Sequence, residues 1–288
     1  MDKFSKDYDT LVISGGGIYG YGILGSLQYL KDHKKLDTIT TYVGTSIGAI
    51  IAYLLCIGCT PMDIIVYLTT RNVLKSLSQI NIISMIQGNG CCNYTLFQSH
   101  IENMTIDKIG QYLTLKGLKD KFGKTLIVCT YNLSKSTVEY ISPDTHPDVP
   151  CLVALRMSSN VPLLFEDFKY MGDYYIDGGI FDNFPIDIPQ IKDRNIIGIA
   201  VEHKVGEYRK PSVDGNILEY ILYLLNLSIN KSYIDKVITN IKDNVNLIIS
   251  IDLDENKNAF SFVNFSISNK SMLQYFSTGY SNTKKIFE

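Results

Sequence analysis

Gly44-Thr45-Ser46-Ile47-Gly48 stands between a strand-like run, Ile39 to Val43, and an apolar helical run, Ile47 to Cys56. A G-x-S-x-G pentapeptide in that setting turns the chain sharply from strand to helix and holds its serine strained and exposed, which makes Ser46 the expected nucleophile. Gly44 and Gly48 are expected to be glycine because side chains there would collide across the turn. By itself the pentapeptide also fits an ordinary strand-turn-helix with an incidental serine, so the reading depends on what else the chain contains.

Upstream, Thr10 to Ser14 reads as a buried strand running into Gly15-Gly16-Gly17-Ile18-Tyr19-Gly20, followed by an apolar helical stretch to Leu30. Consecutive glycines leave backbone N–H groups bare, and at a helix N-terminus those donors gain the positive end of the helix dipole. Such a loop suits a phosphate or a developing oxyanion. Gly15, Gly17 and Gly20 also spell the G-x-G-x-x-G dinucleotide fingerprint, which needs an acidic residue closing the second strand. The acidic candidate, Asp37, precedes the strand at Ile39, and that strand ends in the serine turn. An oxyanion hole built from Gly15, Gly16 and Gly17, with Gly20 supporting the loop, is the better-supported expectation.

Downstream, Tyr174-Tyr175-Ile176 leads into Asp177-Gly178-Gly179 and then Ile180 to Pro185. An aspartate at a strand end followed by paired glycines sits on a tight turn with its carboxylate able to accept a proton. Asp-Gly is also a common structural turn pair, so this motif alone leaves an Asx turn open.

With the three motifs in this order, the chain resembles the patatin-like phospholipase family. The resemblance covers Gly15 to Gly20 as the oxyanion loop, Gly44 to Gly48 as the nucleophile turn and Asp177-Gly178-Gly179 as the general-base turn. Arg156-Met157-Ser158-Ser159-Asn160-Val161-Pro162-Leu163-Leu164-Phe165 is similar to the family's segment before the Asp-Gly-Gly turn, and Phe265 to Phe287, with Gly279-Tyr280, to its last helix. One position departs: the family usually has Lys or Arg just before the last glycine of the first motif, where this chain has Tyr19. The resemblance implies a lipid acyl hydrolase acting on phospholipid or glycerolipid esters at a peripheral membrane or lipid-droplet surface, through a Ser46–Asp177 dyad and without cofactor or metal. From the residues alone, a serine, acid, histidine triad remains open, because His203 follows the strand Ile196 to Val201. A catalytically inactive lipid-binding or interaction module is the alternative outside enzymes.

Strand-like runs at Thr10 to Ser14, Ile39 to Val43, Thr125 to Thr130, Tyr174 to Ile176, Ile196 to Val201 and Leu247 to Ile251 alternate with helical segments. That alternation predicts an α/β fold, a three-layer sandwich with a mostly parallel central sheet, and places the glycine loop, Ser46 and Asp177 at strand C-termini. The chain is expected to form one domain over 1–288, with a helical excursion at about 61–118 beside the site, interrupted at Gly88-Asn89-Gly90. The apolar positions of the excursion, and of Ile217 to Ile229 with Tyr220 and Tyr223, read as core.

At 288 residues, with 45% hydrophobic and 19% charged residues, the chain can bury a large core, and a net charge of −2 gives no broad electrostatic footprint for nucleic acid. Met1 to Thr10 lacks the apolar core of a secretory signal and the longest apolar run, Ile47 to Cys59, is too short to span a bilayer, so a cytoplasmic protein with peripheral membrane contact is expected. Six cysteines then read as reduced thiols; Cys56-x-x-Cys59 has no matching second pair for zinc, and Cys91-Cys92 is uninformative. Asp252, Asp254 and Asn256 begin like a calcium loop, but Lys257 and Val263 stand where its glycine and closing glutamate belong.

Overall fold

The computed structural model describes residues 7–71, 73–77, 90–202, 224, 236, 247–252 and 265–288. His203, Ile217 to Ile229 apart from Leu224, Gly88-Asn89 and the residues of the failed calcium loop beyond Asp252 lie outside the described residues.

A mixed, mostly parallel sheet flanked by helices forms the frame. Its parallel centre consists of β1 (Thr10–Ile13), β2 (Thr41–Thr45), β3 (Thr125–Asn132), β7 (Ile196–Glu202) and β8 (Leu247–Asp252). β4 (Thr137–Ile141), β5 (Phe168–Tyr170) and β6 (Asp173–Asp177) add an antiparallel edge, and the order is β5-β6-β3-β2-β1-β7-β8 with β4 paired to β3. The central strands are buried on both faces, as parallel strands covered on two sides must be. Alternation sorts their side chains into two cores. Leu11, Ile13, Tyr42, Leu126, Val128, Ile197 and Ile199 face the larger one, whereas Val12, Val43, Ile127, Ile196 and Ala200 face the segment Phe184 to Ile191.

The larger core is roofed by α1 (Gly20–Asp32), α2 (Ile47–Cys56), α3 (Pro61–Thr70), α4 (Val73–Leu77), α5 (Tyr94–Ile109), α6 (Leu115–Phe122), α7 (Cys151–Ser158) and α8 (Asn269–Phe287). Local sequence sets the helix ends. Thr60 and Asp63 form a reciprocal capping box around Pro61, Asn93 caps α5, and Gly110 closes that helix in the left-handed region at φ 71°. α8 lies against α1 with backbones touching: a Cβ at Gly279 would stand 1.9 Å from the Gly22 carbonyl oxygen, and Ser26 donates to the Gly279 carbonyl at 3.1 Å.

β4 and β5, short and half-exposed, carried no strand signal in the sequence. Asp177 ends a strand as expected, and because β6 runs antiparallel to β3 it approaches the C-terminal end of β2 from the opposite direction. Thr45 of β2 pairs with Cys129, and Asp177 pairs with the next residue of β3, Thr130. β4 occupies the opposite side of β3 over Val128 to Asn132, so β2 and β6 lie end to end along one edge of the same strand. Their tips, Thr45 and Asp177, meet because β3 holds them at consecutive positions.

Candidate active site

Ser46 is the residue between β2 and α2, and its backbone is forced to φ 56°, ψ −125°, a conformation that non-glycine residues adopt only when their surroundings impose it. Those surroundings are specific. A Cβ at Gly44 would stand 2.5 Å from the Ala49 nitrogen, so only glycine lets β2 come so close to the helix it feeds. At Gly48 the obstruction comes from another strand: a Cβ would lie 2.5 Å from the carbonyl oxygens of both Ile13 and Ser14. The expected collision across the turn therefore holds for Gly44, while Gly48 is needed to seat α2 on the end of β1. The Ser46 N–H donates to the Ser158 hydroxyl at 2.8 Å, which in turn donates to the Cys129 carbonyl at 2.6 Å.

Asp177 is almost fully buried, lines the same cavity as Ser46, and feels the Ser46 hydroxyl at its carboxyl. Its Oδ1 accepts the Gly179 N–H at 2.7 Å. Burial lifts the carboxyl from its ordinary 3.8 to about 6, against the opposing pull of the Ser46 hydroxyl and the Gly179 N–H. The group is thus more basic than an exposed aspartate and still ionises near neutrality. Gly178 packs against the Cys129 carbonyl, where a Cβ would be 2.6 Å away, and Gly179 against the Asn183 side chain.

Of the glycine loop, Gly16 and Gly17 line the same cavity mouth as Ser46 and Asp177. Gly17 takes φ 54° in a 3-10 turn (Gly17–Tyr19) leading into α1, a left-handed position suited to glycine. Gly15 is different: its N–H donates to the Asn183 carbonyl at 3.1 Å, and its own carbonyl accepts from the Ser14 hydroxyl and from Asn183 Nδ2. The Gly15 N–H is therefore engaged within the fold, and Gly15 anchors the loop. Gly20 begins α1 against Ile47, where a Cβ would lie 2.8 Å from Cγ1. Tyr19, in place of a basic residue, is buried with its ring edge-on to Tyr275 of α8 at 5.6 Å between centroids.

Sequence reasoning missed the residues that tie these parts together. Asn160 accepts the Asp177 N–H through its carbonyl at 3.0 Å and donates from Nδ2 to the Tyr175 carbonyl at 3.0 Å, so Ser158 and Asn160 fix the serine turn and the aspartate strand from one short segment. The Asp182 carbonyl accepts from the Thr45 hydroxyl at 3.1 Å, while Asn183 holds Gly15. The stretch 177–183 thus touches all three motifs. Asp182 itself is held by Tyr140 at 2.7 Å and by Lys236 at 2.7 Å. The visible signal was the small polar run Ser158-Ser159-Asn160 directly after an apolar helix. Beneath it, the buried Arg156 guanidinium lies 3.7 Å over the Tyr94 ring and pairs with Glu166 at 3.0 Å.

From this mouth an apolar cavity of about 1430 Å³, counting its open end, extends between α1, α2, α3 and α5, walled by Leu24, Ile50, Leu54, Ile64, Phe97 and Met104. The helical excursion, whose described helices continue to Phe122, therefore both packs as core and walls this cavity. Among the described residues no helix is long and apolar enough to cross a membrane.

Fold and site together define a lipid hydrolase: the chain belongs to the patatin-like phospholipase family, whose profile matches residues 11–189. It is 38% identical over 203 residues to the probable lipid hydrolase 463L of Invertebrate iridescent virus 6, covering 65% of this chain and 68% of that protein. It is 28% identical over 292 residues to the uncharacterized protein R571 of Acanthamoeba polyphaga mimivirus, covering 96% of this chain and 92% of the relative. Its fold is similar to that of VipD from Legionella pneumophila, with a TM-score of 0.61 and 19% identity over 98% of this chain and 67% of VipD. The type III effector protein ExoU of Pseudomonas aeruginosa gives a TM-score of 0.51 at 12% identity, over 98% of this chain and 53% of ExoU.

Proposed function

We propose that the protein is a serine esterase of the phospholipase A type that releases fatty acids from phospholipids or glycerolipids through an acyl-enzyme on Ser46. The observation that carries this reading is the Ser46 hydroxyl set against the buried, basic Asp177 at the mouth of an apolar cavity. Asp177 takes the serine proton as Oγ attacks the ester carbonyl, and the Gly16 and Gly17 N–H groups receive the oxyanion. The protonated Asp177 then gives its proton to the departing glycerol oxygen. In the second half Asp177 deprotonates water, which attacks the acyl-enzyme and frees the fatty acid and Ser46. The acyl chain occupies the cavity throughout, where its burial contributes about 0.8 kcal/mol per methylene. Labelling with a fluorophosphonate probe followed by peptide mapping tests the assignment: modification at Ser46 is expected, and an unlabelled, folded protein would return the chain to the inactive-module alternative.

A base must be ionised to act, so kcat/KM should rise with pH through an apparent pKa near 6 and level off above it, the value burial gives Asp177. Below that pKa the rate should fall about tenfold per pH unit. A profile flat from pH 5 to 8 on a soluble chromogenic ester would remove Asp177 from the base role.

The oxyanion assignment predicts the behaviour of Gly16→Val. A Cβ there would stand 3.2 Å from Val201 Cγ2, so the larger side chain displaces the loop and its donors. Turnover should drop on the order of 10²-fold with KM little changed, because the lost bond is made in the transition state. Intact turnover in this variant would mean that the loop does not hold the oxyanion.

A further inference from the structure

An apolar ridge on the antiparallel edge of the sheet takes no part in the chemistry at Ser46. Tyr131 of β3 pairs with Ile176 of β6, and Lys169 of β5 pairs with Tyr174. Leu133 follows Tyr131 by two residues, so strand alternation puts Tyr131, Leu133, Ile176, Tyr174 and Lys169 on one face. The opposite face, with Phe168, Tyr170 and Tyr175, packs into the main core. On the open face Leu133 and Tyr174 are exposed, and the Lys169 ammonium rides 5.1 Å over the Tyr174 ring. The Tyr131 ring stacks on Phe181 at 3.7 Å, which carries the ridge back to Ile180 at the cavity mouth.

The apex breaks a local rule. Tyr170 pairs with Asp173, so Met171-Gly172 is a two-residue hairpin turn, and both residues have positive φ, 48° and 99°. This is the type I′ geometry, whose first central position favours Asn, Asp or Gly. A methionine there strains the backbone, yet it is 89% exposed and gains no burial in return. The turn is also held firmly: the Leu133 N–H donates to the Tyr174 carbonyl at 2.8 Å, the Tyr174 N–H donates to the Ser134 hydroxyl at 3.0 Å, and Lys135 Nζ lies 2.7 Å from Asp173 Oδ2. β2 and β3 are parallel, so the turn after β3 projects from the same sheet edge as Ser46. With β6 spanning Asp173–Asp177, the apex stands roughly 13 Å or more beyond Asp177 at about 3.3 Å per residue.

We infer that this ridge, led by Met171, docks the protein on the headgroup–acyl boundary of a phospholipid bilayer and brings the mouth at Ser46 to it. The inference rests on the lipid-hydrolase reading of that site. A bilayer fits the chemistry better than a protein partner does. A single exposed apolar tip on a firmly held turn suits shallow insertion, tyrosine is favoured at the membrane interface, and a lysine lying along an aromatic ring can raise its ammonium to anionic headgroups.

The test compares the protein with Met171→Asn and with Met171→Asn/Leu133→Ser, using sedimentation with vesicles of phosphatidylcholine and phosphatidylglycerol. Asn-Gly suits the turn, so Met171→Asn should unfold at no lower temperature than wild type. Its vesicle-bound fraction should fall severalfold and that of the double variant about tenfold or more, with hydrolysis of vesicle lipid falling in parallel and hydrolysis of a soluble short-chain ester unchanged. Unchanged vesicle binding in the double variant overturns the proposal. So does a wild-type dimer in sedimentation velocity that Met171→Asn dissociates without loss of vesicle binding, which would assign the ridge to a second copy. Vesicle binding that depends on Met171 in a protein that hydrolyses neither substrate would uphold the docking surface while sinking the hydrolase reading.

Discussion

Ser46→Ala is expected to abolish ester hydrolysis while the protein stays folded. The side chain is half-buried and lost without a large cavity, and the N–H that Ser158 holds is unchanged by the substitution. The strained φ of 56° is borne by alanine as by serine, so the elbow keeps its shape. Loss of a serine nucleophile typically costs roughly 10⁴-fold or more, since only binding and the oxyanion donors remain. Rates on one chromogenic ester and on mixed liposomes, with circular dichroism as the folding control, provide the check. More than a few per cent of residual activity, with wild-type contamination excluded, would sink the assignment of Ser46.

Asp177→Asn should be nearly as damaging, and the double variant with Ser46→Ala no worse than either, because nucleophile and base act as one unit. The same substitution carries a second, opposite expectation for stability. The folded carboxyl titrates near 6 and the ordinary value is 3.8, so the ionised form is disfavoured in the folded state. Stability linked to this group is fully present below about pH 4 and is lost as pH rises through 6, a difference of about 3 kcal/mol. Asparagine removes that charge. Asp177→Asn should therefore be at least as thermostable as wild type at pH 8, with its advantage gone below pH 4. A variant inactive because it is unfolded at pH 8 would contradict both arguments. His203→Ala distinguishes the dyad from the triad: its activity should stay within about tenfold of wild type, whereas a loss comparable with Ser46→Ala would make the histidine the base and Asp177 its orienting partner.

What could be read from the sequence followed from how local each constraint is. The serine turn, the glycine loop and the Asp-Gly-Gly turn each lie within a few consecutive residues, and their glycines mark close approaches that only glycine permits. Central strands such as Thr10–Ile13 are apolar on both faces and were located to within a few residues. β4 and β5 were missed because a half-exposed hairpin strand has no apolar run, and the antiparallel direction of β6 is fixed by pairing that spacing does not encode. The roles of Ser158, Asn160 and Asn183 were hidden for a different reason. Each acts through hydrogen bonds to backbone more than ten residues away, and a lone serine or asparagine beside a helix end reads as a cap. Gly15 likewise reads as a donor in the sequence, but its N–H is taken up by the Asn183 carbonyl.

The end-to-end placement of β2 and β6 along one edge of β3 divides the chain into parts that can vary in length and one that cannot. Residues 47–124 and 133–172 run outside this splint, and loops there can lengthen or shorten at the modest entropic cost of closing a longer loop. Within Thr125–Asn132 a one-residue insertion or deletion moves Thr45 and Asp177 apart or together by about 3.3 Å and turns every following side chain to the other face. Related enzymes that keep this chemistry should therefore differ freely in the size of their cap and hairpins while holding this eight-residue strand to a fixed length.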